Sequence, residues 1–336
     1  MRITSTALLF LMLAPVLAVR ADDTNPGADA PGSPASSAAP KLGEADVQKW
    51  KVGMIVSASG GPVARLTGTT TIPMDWPEQS VKIADQDLSP GLTLGYKSYG
   101  TAKQMVVGIP RIADGKEVHA FLILEVTRHT LLPPDETDSL VVPKAKSLPP
   151  EFKAYLGPSP LIESTHARIK EIAGKLAEGQ AKAWPHVRAI YDWVRKTIEY
   201  EKDAPLTGCI EAIDKGKGDC NELTSTFIAI CRASGIPART VRIPGHCYPE
   251  FYLEDAQGQG HWYPAEASGS EAFGGIRTHT PIMQKGDALR ASVAHIEGGR
   301  LRTVTETVRF LPENLTSMNL KAGGRPAMKL VCEPAE

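Results

Sequence analysis

Residues 216–239, GKGDCNELTSTFIAICRASGIPAR, decide the fold. They read as a glycine loop, a helix and a stop. Asp219 is an N-cap and Glu222 lies three residues on, the pattern of a capping box. Leu223, Phe227, Ile230 and Ser234 fall on one helical stripe, with Thr226 and Cys231 beside it. Gly235 ends the helix and Pro237 keeps it from resuming. Cys220 is therefore the first helical residue, among backbone N–H groups that the helix leaves unpaired and at the positive end of its dipole. A thiol in such a place falls from a pKa of about 8.5 into the range of about 3.5–7.5. That makes Cys220 a candidate nucleophile; the plainer reading is a small buried residue at a helix start.

Downstream, Arg239 to Pro244 alternates and is β-rich, so it reads as a strand. Gly245-His246 follows, then a second strand over Cys247–Leu253. After the turn Gln257–Gly260 comes a third, His261–Glu266. A helix packed on such a sheet brings together a Cys, a His and a carboxylate that are distant in sequence. Imidazole accepts the thiol proton, and the imidazolium then steadies the thiolate. A carboxylate on the other ring nitrogen fixes the tautomer. Glu266 is one candidate for it. Glu250 competes, because four residues from His246 puts it on the same strand face, where it suits a cleft wall or a substrate contact. By the same alternation Cys247 faces away from His246. His261, beside Trp262, reads as a surface or turn residue.

Gly218-Asp219-Cys220, Arg232 to Arg239, His246 to Tyr252 and Trp262 to Glu266 resemble the transglutaminase-like domain of the papain-like thiol superfamily. The resemblance covers roughly residues 150–275 and is greatest to the family's bacterial, secreted branch. It implies an α+β core of helices packed on an antiparallel sheet. It also implies a Cys-His-Asp triad, which maps here onto Cys220, His246 and Glu266. Three positions depart from the pattern: Glu266 stands where Asp is usual, Tyr248 where Trp is, and Cys247 where a small residue is. The implied activity is attack on a protein or peptide amide through a thioester, resolved by an amine or by water. Glu266 in place of Asp favours the alternative, a binding module that keeps the fold without the chemistry. No cofactor is implied. Trp193 and Tyr200 are expected to pack beneath the nucleophile helix.

The rest of the chain sets the frame. Its 336 residues suffice for one large or two modest domains, and 42% hydrophobic with 22% charged residues is an ordinary globular balance. A formal net charge of -1 gives no basic excess for nucleic acid. Residues 1–21 read as a signal peptide: Arg2, the apolar run Ala7–Leu13, too short for a membrane span, and the small-residue site Val19-Arg20-Ala21. The expected location is periplasmic or extracellular. Residues 22–44, rich in Pro, Gly, Ala and Ser, read as a disordered linker. Residues 45–146 hold six short β-like runs and read as a β-sandwich-like module. Two amphipathic stripes, through Ile169 to Leu176 and Val187 to Ile198, open the thiol domain at 150–275. Residues 276–336 read as a β extension, with a hairpin before Arg300. Ser268–Gly275 is a loop beside the cleft. No CxxC pair points to structural zinc, and no loop of the EF-hand kind to calcium. Pairing among Cys209, Cys231, Cys247 and Cys332 stays open, as does the oligomeric state.

Overall fold

The computed structural model describes residues 37–297, 300–317 and 323–336. The expected signal peptide and linker residues 22–36 lie outside the described residues. The six β-like runs all fall in strands: β1 Lys41–Ser59, β2 Val63–Ile72, β3 Gln79–Leu88, β4 Thr93–Ser98, β5 Lys103–Ile112 and β6 Glu117–Leu132. Next come α1 Ala167–Ala177, α2 Ala183–Thr197, β7 Glu199–Tyr200, α3 Cys209–Lys215 and β8 Lys217–Gly218. The thiol helix and its sheet follow as α4 Cys220–Ala233, β9 Ala238–Ile243, β10 His246–Glu254, β11 Gly260–Glu266, β12 Ala272–Phe273 and β13 Gln284–Lys285. The chain ends with β14 Leu289–Glu297, β15 Arg300–Val308, β16 Leu315–Ser317 and β17 Arg325–Pro334. The class is α+β. The short helix α3 carries no clear periodic stripe and was not foreseen.

Two sheets, ordered β17-β1-β6-β3 and β16-β2-β5-β4, pack face to face. Alternation dictates the core. On β1, Trp50, Val52, Met54, Val56 and Ala58 point inward against Leu122, Leu124 and Val126 of β6 and Met105, Val107 and Ile109 of β5. Two boundaries differ from the sequence reading. β1 starts at Lys41, inside the expected linker, and Tyr263 donates its hydroxyl proton to the Ala38 carbonyl at 2.6 Å. The C-terminal residues complete the sandwich: β17 pairs with β1 from Trp50↔Pro334 to Ser59↔Arg325, and β16 with β2. Such pairing closes a loop of most of the chain, and no local signal in either strand reports it.

The thiol domain is a second layer system. Its sheet runs β12-β11-β10-β9-β13, with α4 packed across β10 and β9. Phe227, Ile228, Ile230, Phe251, Leu253 and Tyr263 are wholly buried between them. Burying such side chains contributes roughly 1.5–3 kcal/mol each. The opposite face of β9 and β10 presents Val241, Ile243 and Tyr248 to Trp76, Leu131, Ile276 and Ile282, which joins the sandwich to the core.

One buried ion pair pins the far end of α4. Arg232 Nη2 meets Asp287 Oδ1 at 2.7 Å with both side chains out of solvent. Asp287 also accepts from Thr240 N at 2.9 Å and Ser159 Oγ at 2.7 Å. Removing the cation alone leaves a buried carboxylate uncompensated, which costs about 3–5 kcal/mol. Arg232→Ala is expected to lose stability on that scale in urea unfolding; a loss below about 1 kcal/mol would show the pair to be dispensable.

Candidate active site

The site starts with the α4 cap. Asp219 accepts from Asn221 N at 2.6 Å, and Glu222 Oε2 accepts from Asp219 N at 3.0 Å, the reciprocal capping box. Glu222 Oε1 also accepts from Thr207 N at 2.9 Å, so the wholly buried carboxylate ties the loop before α3 to the helix start. Gly218 is required there, because a Cβ on it would stand 2.5 Å from Glu222 Cβ. The parallel pairing of β7 with β8 steadies the same loop. Cys220 is thus held at the first helical position, 9% exposed, with its N–H among those the helix leaves free.

β10 delivers His246 and β11 delivers Glu266. His246 Nε2 lies 2.9 Å from Glu266 Oε2. The other ring nitrogen, Nδ1, is left free of Glu266, and the Cys220 thiol is close enough for each group to shift the pKa of the other. Glu266 is itself fixed from three sides. Its Oε1 accepts from Ser268 N and Oγ at 3.1 Å and from Gly269 N at 3.0 Å. Its backbone carbonyl accepts from Tyr191 Oη at 2.9 Å and Arg195 Nη1 at 3.0 Å, both on α2. The carboxylate reaches the imidazole despite its extra methylene, since the loop after β11 folds back to hold it. All three residues named from sequence are brought together.

The electrostatics make an ion pair. A hydrogen bond from the Cys247 thiol, acting against burial, and then the His246 ring bring Cys220 down to about 5. Burial opposes charge on His246, but hydrogen bonds to Cys220 and Glu266, with their negative charge, raise it to about 10. Burial likewise acts on Glu266, yet the His246 bond and charge and the loop N–H groups hold it below the usual carboxylate range. Both shifts favour the thiolate–imidazolium form of the pair.

Three residues differ from the sequence reading. Glu250 is not at the cleft: it is buried, bound to Arg239 Nε at 2.8 Å and Lys285 Nζ at 2.7 Å, and Lys285 continues to Glu78 at 2.6 Å. Strand alternation did put it on a common face, but that face is covered by the sandwich. His261 is buried against Asp255, 3.3 Å away, and is not a surface residue. Tyr200 is 49% exposed beside the thiol instead of beneath the helix, and the Cys220 charge is among the causes, after desolvation, that raise its hydroxyl pKa. The sequence also missed Cys247, whose sulfur lies under the first turn of α4, 3.5 Å from the Cys220 carbonyl oxygen. Its position one residue past His246 was the available signal.

A cleft of about 650 Å³ opens beside His246 and Glu266, walled also by Tyr248, the 270–278 loop, and Leu131 to Pro133 of the sandwich. Its lining is mostly apolar, as a site for a peptide side chain is. Among the described residues no group of three His, Cys, Asp or Glu could hold a metal ion. Nor is any helix among them long and apolar enough to cross a membrane.

The ion pair has a pH signature that belongs to the coupled pair. Iodoacetamide alkylation of Cys220 is expected to rise through an acid limb near pH 5; a limb at free-thiol pH, about 8.5, would refute the ion pair. Glu266→Gln removes a negative charge that raises His246. The ring should then lose its proton below the wild-type value of about 10, as read by NMR titration of its carbon-bound protons.

Residues 170–267 match the family model described as transglutaminase-like superfamily. A protein of Haemophilus influenzae, described as uncharacterized, is 26% identical over 150 residues, 43% of this chain and 40% of its own length. The chain thus spans about two fifths of that relative. A crystal structure from Cytophaga hutchinsonii, provisionally named a cysteine protease, superposes with a TM-score of 0.55 at 18% identity, over 87% of this chain and 92% of its own. The periplasmic domain of TgpA from Pseudomonas aeruginosa follows at a TM-score of 0.35 and 13% identity, over 66% of this chain and 87% of its own. With the capped helix, the strand pair and the family match in agreement, residues 170–267 of this chain are a transglutaminase-like domain.

Proposed function

We propose that the protein is a thiol enzyme that cleaves protein or peptide amides, with Cys220 as nucleophile, His246 as base and acid, and Glu266 as the carboxylate that orients the ring. The observation that carries this reading is the 2.9 Å Glu266–His246 bond, made by a ring whose charge the neighbouring Cys220 also supports. It supports catalysis over the binding-module alternative, because the Glu that stands for Asp reaches the ring.

The thiolate attacks the amide carbonyl. The oxyanion that develops is stabilised by the Cys220 N–H at the α4 terminus. His246 hands its proton to the leaving amine, and a thioester remains on Cys220. His246 then takes a proton from the incoming nucleophile, and Glu266 steadies the ring through both steps. The His246 side chain is 29% exposed, so water reaches the ring that must activate it, which favours hydrolysis over transfer to an amine. The start of the sequence, with its Arg2, apolar run and small-residue site, supports action outside the cytoplasm.

The test is to incubate the purified protein with a peptide panel, with and without an amine donor, and to read the products by mass. Cleaved or deamidated peptides are expected without the donor, and Cys220→Ala should lower turnover by about 10³-fold or more. Turnover unchanged in Cys220→Ala would refute the mechanism, and products formed only with the donor would move the activity to transfer.

A further inference from the structure

Cys247 has no place in the triad, yet its sulfur sits against the nucleophile. It lies 3.5 Å from the Cys220 carbonyl oxygen, 3.6 Å from Asn221 Oδ1 and 3.8 Å from Thr224 Oγ1. The Cys247 thiol is also the first of the influences that lower the Cys220 pKa. The two thiols differ in access: Cys220 is 9% exposed and Cys247 2%. The other three cysteines are placed elsewhere. Cys209 bonds Glu163 at 2.8 Å, Cys231 lies three turns along α4, and Cys332 is on β17. All five thiols are free.

We propose that Cys220 and Cys247 are a peroxide-responsive dithiol, in which oxidation of the nucleophile is captured as a reversible disulfide between them. The proposal rests on the reading of Cys220 as an ionised nucleophile, and not on which amide it attacks. The first step is attack of the Cys220 thiolate on hydrogen peroxide or an alkyl hydroperoxide. The O–O bond breaks, the sulfur gives up two electrons and becomes a sulfenic acid, and the other oxygen leaves as water or alcohol after protonation. In the second step the Cys247 sulfur attacks the sulfenic sulfur; an S–S bond forms, the S–O bond breaks and water departs with the Cys247 proton. A dithiol reductant reverses the state by exchange.

The surroundings suit the second step. The largest influence keeping Cys247 protonated is the hydrogen bond to the Cys220 thiolate, ahead of burial. A neutral sulfenic acid removes that acceptor charge. Arg309, from the connection after β15, then supplies the field that favours the Cys247 thiolate. Its guanidinium is 6% exposed and donates from Nη2 to the Asn221 carbonyl at 3.2 Å, while Nε and Nη1 have no partner among the described residues. A buried cation left with two free donors beside a buried thiol is an arrangement that stabilises an anion there. The disulfide would mask the nucleophile and spare it further oxidation to sulfinic acid, which dithiol reductants do not reverse.

The experiment treats the reduced full chain with hydrogen peroxide, blocks remaining thiols with iodoacetamide, and maps peptides by mass. Expected are a cross-linked Cys220–Cys247 peptide, titratable thiols reduced by two from five, and Cys220 alkylation lost and then restored by dithiothreitol. In Cys247→Ala the same dose should leave Cys220 as sulfinic or sulfonic acid, with no recovery. Sulfinic acid at Cys220 in the wild-type chain with no cross-link, or a cross-link to a different cysteine, overturns the proposal without any variant needing to fold. Alkylation at pH 6 before peroxide separates the readings. Failure there removes the ionised nucleophile and this proposal with it; alkylation there without a later disulfide removes only the dithiol.

Discussion

Keeping an imidazole charged while it is mostly out of water is the condition on which this structure turns. Burial favours a neutral ring, so the protein must supply anions on both sides of it. Glu266 does so at 2.9 Å through Nε2, and the Cys220 thiolate does so on the other side. Each anion is in turn held by groups that cannot easily move. The Glu266 carboxylate is fixed by the N–H groups of Ser268 and Gly269, and its backbone by Tyr191 and Arg195 of α2. The thiolate is fixed by the Asp219–Glu222 cap that sets where α4 begins. The placement of Cys220 beside His246 is therefore an outcome of helix capping and sheet register at once.

The second requirement is that α4 and β10 stay in register, and buried charge does much of that. Arg232 and Asp287 lock the end of α4 to the turn after β13. Lys285, two residues earlier, bridges Glu250 of β10 to Glu78 of the sandwich. The anion of Glu78 is held down to about 2, burial being outweighed by the charges of Lys285 and Arg128. These pairs need not add net stability over apolar residues of the same shape. What they add is geometry, because a one-residue slip of β10 would leave Arg239 and Lys285 without Glu250 and would turn His246 away from Glu266. The sandwich is in this sense part of the candidate site, although none of Cys220, His246 and Glu266 lies in it.

Much of this was legible in the sequence because the signals were local. The capping box, the stripe through Leu223 and Phe227, and the Gly235–Pro237 stop each lie within a few residues, and each formed as read. The strand alternation around His246 and Glu266 was equally local, and the two side chains do meet across neighbouring strands. What escaped was non-local. The pairing of β17 with β1 and of β16 with β2 joins the two ends of the chain and leaves no mark in either strand. Glu250 was on the predicted face, but which face the sandwich covers is a tertiary fact. Tyr200 was expected beneath the nucleophile helix by resemblance, yet the short β7 strand leaves it half exposed.

Cys247 shows how far the period of a strand can be trusted. Alternation says only that neighbours point to opposite faces of a sheet. It does not say that one of those faces is empty, and here α4 lies on it, so the side chain directed away from the cleft meets the backbone of Cys220. Two sulfurs consequently share one helix start. A thiol that donates to a thiolate lowers the pKa of its partner and also lessens its nucleophilicity, since part of the charge is spent in the hydrogen bond. The arrangement trades some intrinsic reactivity for ionisation well below neutral pH, a balance that a small apolar residue at 247 would set differently.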